Sequence, residues 1–168
     1  DLQKLDLGTM KLDFQDLDAD TFLKDVTEEY QAYAEDTGAR LTYASEPIGR
    51  ALHVDPHRLK QVVGNVISNA VKFSPKGSQI QVSATLNGSE VIIAVNDSGP
   101  GISSDDLARI FERFYQVDRA RRSGTGLGLA IVRHIVQAHG GRVWAESVEG
   151  EGATFYIALT LAEAPTTN

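Results

Sequence analysis

The sequence predicts a single α/β domain. Three observations carry that prediction. Apolar residues recur at helical spacing in three separate stretches, strand-like runs fall between and after them, and the 168-residue length suits one core. A chain of this size buries roughly 70% of its unfolded surface. Hydrophobic content of 42% beside 23% charged residues is that of an ordinary globular protein.

Residues 1–17 read as a connector. Leu2, Leu5 and Leu7 precede Gly8 there, either as the frayed end of a helix whose partner lies elsewhere or as a tether. A domain is expected over 18–162. Its first helix runs from Asp20 to about Asp36, with Asp18 or Asp20 as cap, Phe22, Val26, Tyr30 and Tyr33 on one stripe, and Gly38 as the stop. Two extended stretches follow, Arg40 to Ala44 and Arg50 to Val54, parted by a turn around Pro47 and Gly49. Asp55 and Pro56 start the second helix, Asp at the cap and Pro at the first helical position, and Pro75 and Gly77 stop it after Phe73. Strands are expected at Gln79–Leu86 and Glu90–Val95, joined by Asn87-Gly88-Ser89, where Asn and Gly tolerate the positive φ of a hairpin turn. The polar segment Ser103–Ser123 holds one short amphipathic stretch. Gly124 opens a third helix that ends at Gly140-Gly141, Arg142–Val148 and Ala153–Leu161 make a last strand pair, and 163–168 form a disordered tail.

Composition excludes several functions. The chain has no cysteine, so disulfides and thiolate metal sites are out. A net charge of −7 argues against a nucleic-acid partner, whose phosphates call for Lys and Arg. No run of 18 apolar residues occurs, and the first residues have no basic-then-apolar signal pattern.

Chemistry gathers at three places. On the second helix, Leu59, Val62, Val63, Val66, Ile67 and Ala70 form the core stripe, while Asn65, Asn69 and Lys72 share a narrow arc opposite. A solvated face would explain that arc, with Lys72 complementing the helix dipole, but two asparagines lower helix propensity where Glu or Lys would not. An Asn oxygen is a neutral, hard ligand suited to a Mg²⁺ that keeps water and phosphate oxygens, and Lys72 offers a point charge to phosphate. The second place is Asp97-Ser98-Gly99-Pro100-Gly101-Ile102. A tight turn accounts for its glycines and proline, yet not for a carboxylate at the last strand position. An ionised carboxylate only accepts hydrogen bonds and so suits an amine such as adenine N6, and Gly99 and Gly101 would let a flat ring approach the backbone. The third is Gly124-Thr125-Gly126-Leu127-Gly128, whose free N–H groups at a helix start form an anion site or, more blandly, a flexible linker. Upstream, Phe111-Glu112-Arg113-Phe114-Tyr115 and then Arg119, Arg121 and Arg122 combine an apolar anchor with local positive charge.

Taken in order, Asn65–Asn69–Lys72, Asp97–Gly101, Phe111–Phe114 and Gly124–Gly128 resemble the N, G1, F and G2 boxes of histidine kinase catalytic domains, and Gly150–Phe155 resembles the G3 box. The resemblance spans about residues 20–161. It implies a two-layer Bergerat-type sandwich, a five-stranded mixed sheet packed on three helices, with a mobile ATP lid over about 103–124. It implies ATP and Mg²⁺ as ligands. Asn69 would coordinate Mg²⁺, Asn65 would sit beside it, Lys72 would meet phosphate and Phe73 would lie near adenine or ribose. Asp97, with Thr154 close by, would bind the adenine amine, and Ile102 belongs to the same turn. Gly124, Thr125, Gly126, Leu127 and Gly128 would cradle the phosphates, and Arg113 would reach the γ-phosphate.

The family phosphorylates a histidine on a dimerising helical hairpin, usually one followed by an acidic residue. None of His53, His57, His134 or His139 is so followed, and each reads as structural. The accepting domain is therefore expected outside this chain, with residues 1–8 resembling the end of its second helix and the chain alone monomeric. The resemblance further implies a response regulator as partner and a cytoplasmic site in a parent that can be membrane-anchored. Two alternatives stand beside this reading. Stand-alone ATPases and serine kinases of the same fold typically carry Glu at the place of Asn65, where an amide cannot act as a base. A degenerate nucleotide-sensing module would have no need of Asn69, Asp97 and the glycine loop together.

Overall fold

A computed structural model describes residues 10–112, 115 and 128–163. The expected hairpin remnant at 1–8, the glycine loop up to Leu127, Arg113, Phe114, the arginines at 119–122 and the tail at 164–168 lie outside the described residues.

Helix α1 (Ala19–Asp36) begins where Asp18 takes an extended backbone and its carboxylate accepts the Thr21 N–H at 2.9 Å. That bond satisfies one of the free donors of the first turn, and it holds the Asp18 carboxyl below its usual range. Leu23, Val26 and Ala34 bury one stripe, and the helix stops at Thr37, followed by Gly38 at φ 87°. Helix α2 (Pro56–Phe73) follows the expected plan, with Asp55 as cap and Pro56 inside the first turn. All six residues of the expected core stripe are buried, joined by Gly64 and Val71. Gly64 is a packing requirement, because a Cβ there would fall 2.3 Å from the Tyr30 hydroxyl of α1.

The main sheet comprises β2 (Arg40–Tyr43), β4 (Gln79–Asn87), β5 (Glu90–Asp97), β6 (Arg142–Val148) and β7 (Gly152–Thr160), in the order β2-β4-β5-β7-β6. Strand β2 runs parallel to β4 and every other pairing is antiparallel, so the sheet is mixed, as expected. Alternation then decides the faces. Ile80, Val82, Val91, Ile93, Val95, Ile157 and Leu159 point into one buried layer with α1, α2 and α4 (Gly128–Ala138). Arg142, Trp144, Tyr156, Thr154 and Asn96 share the opposite, uncovered face. Between β5 and α4 lies the short helix α3 (Ser104–Leu107), capped by Ser103, and just beyond it Phe111 meets Phe155 edge-on at 6.3 Å.

The structure corrects the expected connector. Residues 15–18 form a strand, β1 (Gln15–Asp18), that pairs antiparallel with β3 (Ala51–Val54) in a separate two-stranded sheet. Met10 and Leu17 pack on the core, and the Phe14 ring stacks on His53 at 5.0 Å. The reason is polar as well as apolar. Asp55 accepts the Asp13 N–H at 3.0 Å and the Arg58 N–H at 3.1 Å, while the Asp55 N–H donates to His139 Nε2 at 3.1 Å. His139 Nδ1 lies 2.8 Å from the Ile135 carbonyl, which fixes the tautomer as Nδ1–H and gives this histidine the structural role expected of it. At the other end, the Ala162 N–H bonds to the Ala51 carbonyl and ties the chain past β7 to β3.

Burial alone would raise the Asp55 carboxyl, but hydrogen bonds from the backbone N–H groups of Asp13, Arg58 and His57 hold it below the usual carboxylate range. A depressed folded pKa means a contribution that is present above the unfolded value of about 3.9 and is lost as pH falls through the lowered folded value. Asp55→Ala is expected to cost about 1–2 kcal/mol at pH 7. Urea unfolding at pH 7 and below pH 3 checks it, because the gap between variant and wild type should close in acid.

Candidate functional site

Inward-facing residues along β5 read Val91, Ile93, Val95 and then Asp97, so a carboxylate occupies the position that alternation assigns to the core. Asp97 is only 6% exposed. One oxygen, Oδ1, accepts the Gly99 N–H at 2.9 Å and the Ala153 N–H at 3.4 Å. Burial raises its pKa above the usual carboxylate range, and those two bonds offset part of the rise. Its side chain lines a cleft of about 340 Å³.

The walls of this cleft are mostly apolar. Phe73 comes from α2, Pro100, Gly101 and Ile102 from the turn after β5, Ile110 from beyond α3, Leu129 from α4, and Ala153 and Phe155 from β7. Asn69 lines it as well. An apolar slot with one buried acceptor is suited to a flat heteroaromatic ring that carries an amine.

Helix α2 delivers the polar end. Asn69 donates its Nδ2–H to the Asn65 carbonyl one turn back at 3.1 Å, which holds the carboxamide and leaves Oδ1 to act as ligand or acceptor. Asn65 and Asn69 are half-buried and Lys72 is exposed at the end of the same row. A Cβ on Gly128 would stand 3.7 Å from Asn69 Nδ2, so the first residue of α4 abuts the asparagine. Helix N-terminus, Asn oxygen and adenine-type slot thus adjoin one another. Among the described residues no group of three or more His, Cys, Asp or Glu side chains could hold a metal. A cation here would need oxygens that arrive with its ligand, as a phosphate supplies them, and the neutral Asn69 oxygen fits such a Mg²⁺.

Asn65, Asn69, Phe73, Asp97, Gly101, Ile102 and Gly128 are therefore brought together. Lys72 is exposed and does not line the cleft, and Arg113, Gly124, Thr125, Gly126 and Leu127 lie outside the described residues. Two expectations are corrected. Thr154 pairs with Asn96, whose Nδ2–H donates to its hydroxyl at 2.7 Å, while Ala153 pairs with Asp97. Period-two alternation sends Thr154 to the uncovered face of the sheet and sets Ala153 beside the carboxylate. Gly99 does not line the cleft. A Cβ on it would lie 2.9 Å from the Phe73 carbonyl and 3.1 Å from Asp97 Oδ1, so its smallness serves the junction of α2 with the turn. Gly101 does line the cleft, yet it too is held to glycine by protein, at φ 80° with a Cβ position 2.5 Å from the Val148 carbonyl. Alternation along β7 from Leu159 through Ile157 and Phe155 to Ala153 is the signal that would have found the β7 wall.

Comparison with known proteins shows the family and the fold. The model of the family described as histidine kinase-, DNA gyrase B-, and HSP90-like ATPase matches residues 54–163, more than half of the chain. The chain is 45% identical to the sensor histidine kinase WalK of Bacillus subtilis over 117 residues, which is 67% of this chain and 19% of that protein. Against the sensor protein kinase WalK of Staphylococcus haemolyticus it is 37% identical over 163 residues, 94% of this chain and 26% of that protein. It spans about a fifth to a quarter of the length of these relatives. Among solved structures, full-length ShkA in complex with AMPPNP superposes with a TM-score of 0.85 at 34% identity, covering 95% of this chain and 34% of that one.

Proposed function

The chain belongs to the histidine kinase-, DNA gyrase B-, and HSP90-like ATPase family, and from that premise we propose that it serves as the ATP-binding catalytic domain of a sensor histidine kinase. One observation carries the reading: the nearly buried Asp97 carboxylate facing an apolar cleft whose other end holds Asn69 and the start of α4. In this reading adenine lies against Phe73 and Ile102 with its amine donating to Asp97. Asn69 would hold the Mg²⁺ that accompanies the phosphates, with Asn65 beside it on the phosphate side, and the bound ion would neutralise charge developing on the transferred group. The backbone N–H groups of 124–128 receive the phosphates, and Lys72 and Arg113 add positive charge. Catalysis here is placement and electrostatics. The γ-phosphate is presented in line to a histidine of a separate dimerisation domain, and a response regulator then receives it. Asn65 supports a kinase over an ATPase of the same fold, since an amide cannot activate water as a base. No helix among the described residues is long and apolar enough to cross a membrane.

Calorimetric titration with a non-hydrolysable ATP analogue, with and without Mg²⁺, tests the reading. Binding at micromolar to submillimolar affinity is expected, and no binding overturns it. In the same titration Asn69→Ala should lose about tenfold in affinity with Mg²⁺ present and little in EDTA. An equal loss in both would remove the metal role.

A further inference from the structure

Ser147 is assigned no role by the reading above, yet its hydroxyl stands at a junction. Across the sheet, Asp97 pairs with Ala153 and Ala153 with Ser147, so the three side chains form one row on the helix-side face. The Ser147 hydroxyl donates to the Gly152 carbonyl at 3.0 Å and accepts the Ile102 N–H at 2.6 Å. It therefore joins the hairpin turn after β6 to the turn after β5. Other contacts close the same junction. The Gly150 N–H reaches the Pro100 carbonyl at 2.6 Å, and a Cβ on Gly101 would lie 3.1 Å from Ser147 Oγ. Gly101 and Ile102, held by this hydroxyl from one side, form the cleft wall facing the other way.

We propose that Ser147 is a positioning residue for base recognition, setting the spacing between the Gly101–Ile102 wall and the Asp97 carboxylate. A ring is gripped only if that wall stacks on it while its amine reaches Asp97. Without the hydroxyl, the Ile102 N–H and the Gly152 carbonyl lose their shared partner, and the turn is tied to the β6–β7 hairpin at Pro100 but no longer at Ile102, the residue that forms the wall. The ring then binds with its amine off line. Ser147 touches no ligand in this account; it acts through Ile102 and Gly152. The inference rests on the proposed nucleotide site, and its test separates the two.

The probes are ATP and purine riboside triphosphate, which is ATP without the 6-amino group. Both are titrated into wild type, Ser147→Ala and Ser147→Thr of the whole chain, with thermal unfolding of each to register folding. Wild type should prefer ATP by about tenfold, the equivalent of one well-made hydrogen bond to a charged acceptor. In Ser147→Ala that preference should fall to about twofold, mostly through weaker ATP binding, and Ser147→Thr, which keeps the hydroxyl, should restore it. A merely structural serine would lower affinity for both nucleotides equally, and that result, or an unchanged ratio, overturns the proposal. If Ser147→Ala does not fold while Ser147→Thr folds with the wild-type ratio lost, the proposal also fails. A wild type that binds neither nucleotide overturns the nucleotide site itself.

Discussion

Asp97→Asn is expected to weaken ATP binding by about two orders of magnitude while leaving the fold intact. The hydrogen-bond pattern gives the direction. Asp97 Oδ1 accepts the backbone N–H groups of Gly99 and Ala153. In the variant the single amide oxygen must take that place, and the NH₂ group turns to the cleft. A donor then meets the adenine amine where an acceptor stood. The loss combines a missing charge-assisted bond with a buried mismatch, about 2–3 kcal/mol in all. The same turn of the amide suits a 6-keto purine, so the preference for ATP over GTP should narrow sharply. Stability moves the other way. Burial raises the Asp97 pKa, so the folded protein keeps its proton to a higher pH than the unfolded chain does. The ionised carboxylate therefore costs stability above its folded pKa, and the cost vanishes as pH falls below the unfolded value. The nucleotide-free variant should melt at or above the wild-type temperature at pH 7, with the difference gone in strong acid. Competition titrations with ATP and GTP, and calorimetric scans at two pH values, check both halves. Unchanged ATP affinity would remove the adenine assignment.

How far the site was legible follows from what each residue is asked to do. Asp97 announces itself because alternation along β5 puts a carboxylate where Val or Ile belongs. Asn65 and Asn69 are visible because a helix tolerates them poorly and one arc collects them. Such signals are local violations of propensity, and a sequence displays them directly. The fold's main sheet is legible for a related reason, since strand alternation and the Asn-Gly turn are short-range patterns. Strand β1 was not legible. Its four residues Gln15–Asp18 are mostly exposed and carry no alternation, and its partner β3 lies more than thirty residues further on. Tertiary contacts hold the preceding segment in place: the bonds around Asp55 and His139, the Phe14 ring on His53, and Met10 on the core. Thr154 was misplaced by one residue, and in a strand one residue reverses the face. The pairing of β7 with β5 decides it, and that register is a long-range fact. Gly99 and Gly101 were visible as glycines, but their reason was not. Both meet backbone from distant segments, at Phe73 and Val148, where a ligand had been expected.

Gly152 shows how completely the carboxylate depends on such backbone fit, and Gly152→Ala should be among the most damaging single-methyl changes in the chain. Two costs combine there. Its φ of 99° lies in a region that L side chains rarely adopt, and a Cβ would stand 2.2 Å from the Asp97 carbonyl oxygen. That oxygen cannot step aside cheaply, because Asp97 ends the β5–β7 ladder opposite Ala153. Gly150 provides the control two residues earlier in the same turn. Its φ is 85°, but nothing lies within 4 Å of its Cβ position. Gly150→Ala should therefore cost only the conformational part, about 1 kcal/mol, or roughly 2–4 °C in melting temperature. Gly152→Ala adds the overlap and should cost about 3–5 kcal/mol, lowering the melting temperature by roughly 10 °C or more. The displacement that relieves the overlap moves Asp97, so nucleotide affinity should fall even below the melting transition. Equal melting temperatures for the two variants would mean that β7 can retreat from β5 at little cost. Asp97 would then owe its place to the Gly99 N–H and the apolar wall rather than to the glycine packed behind it.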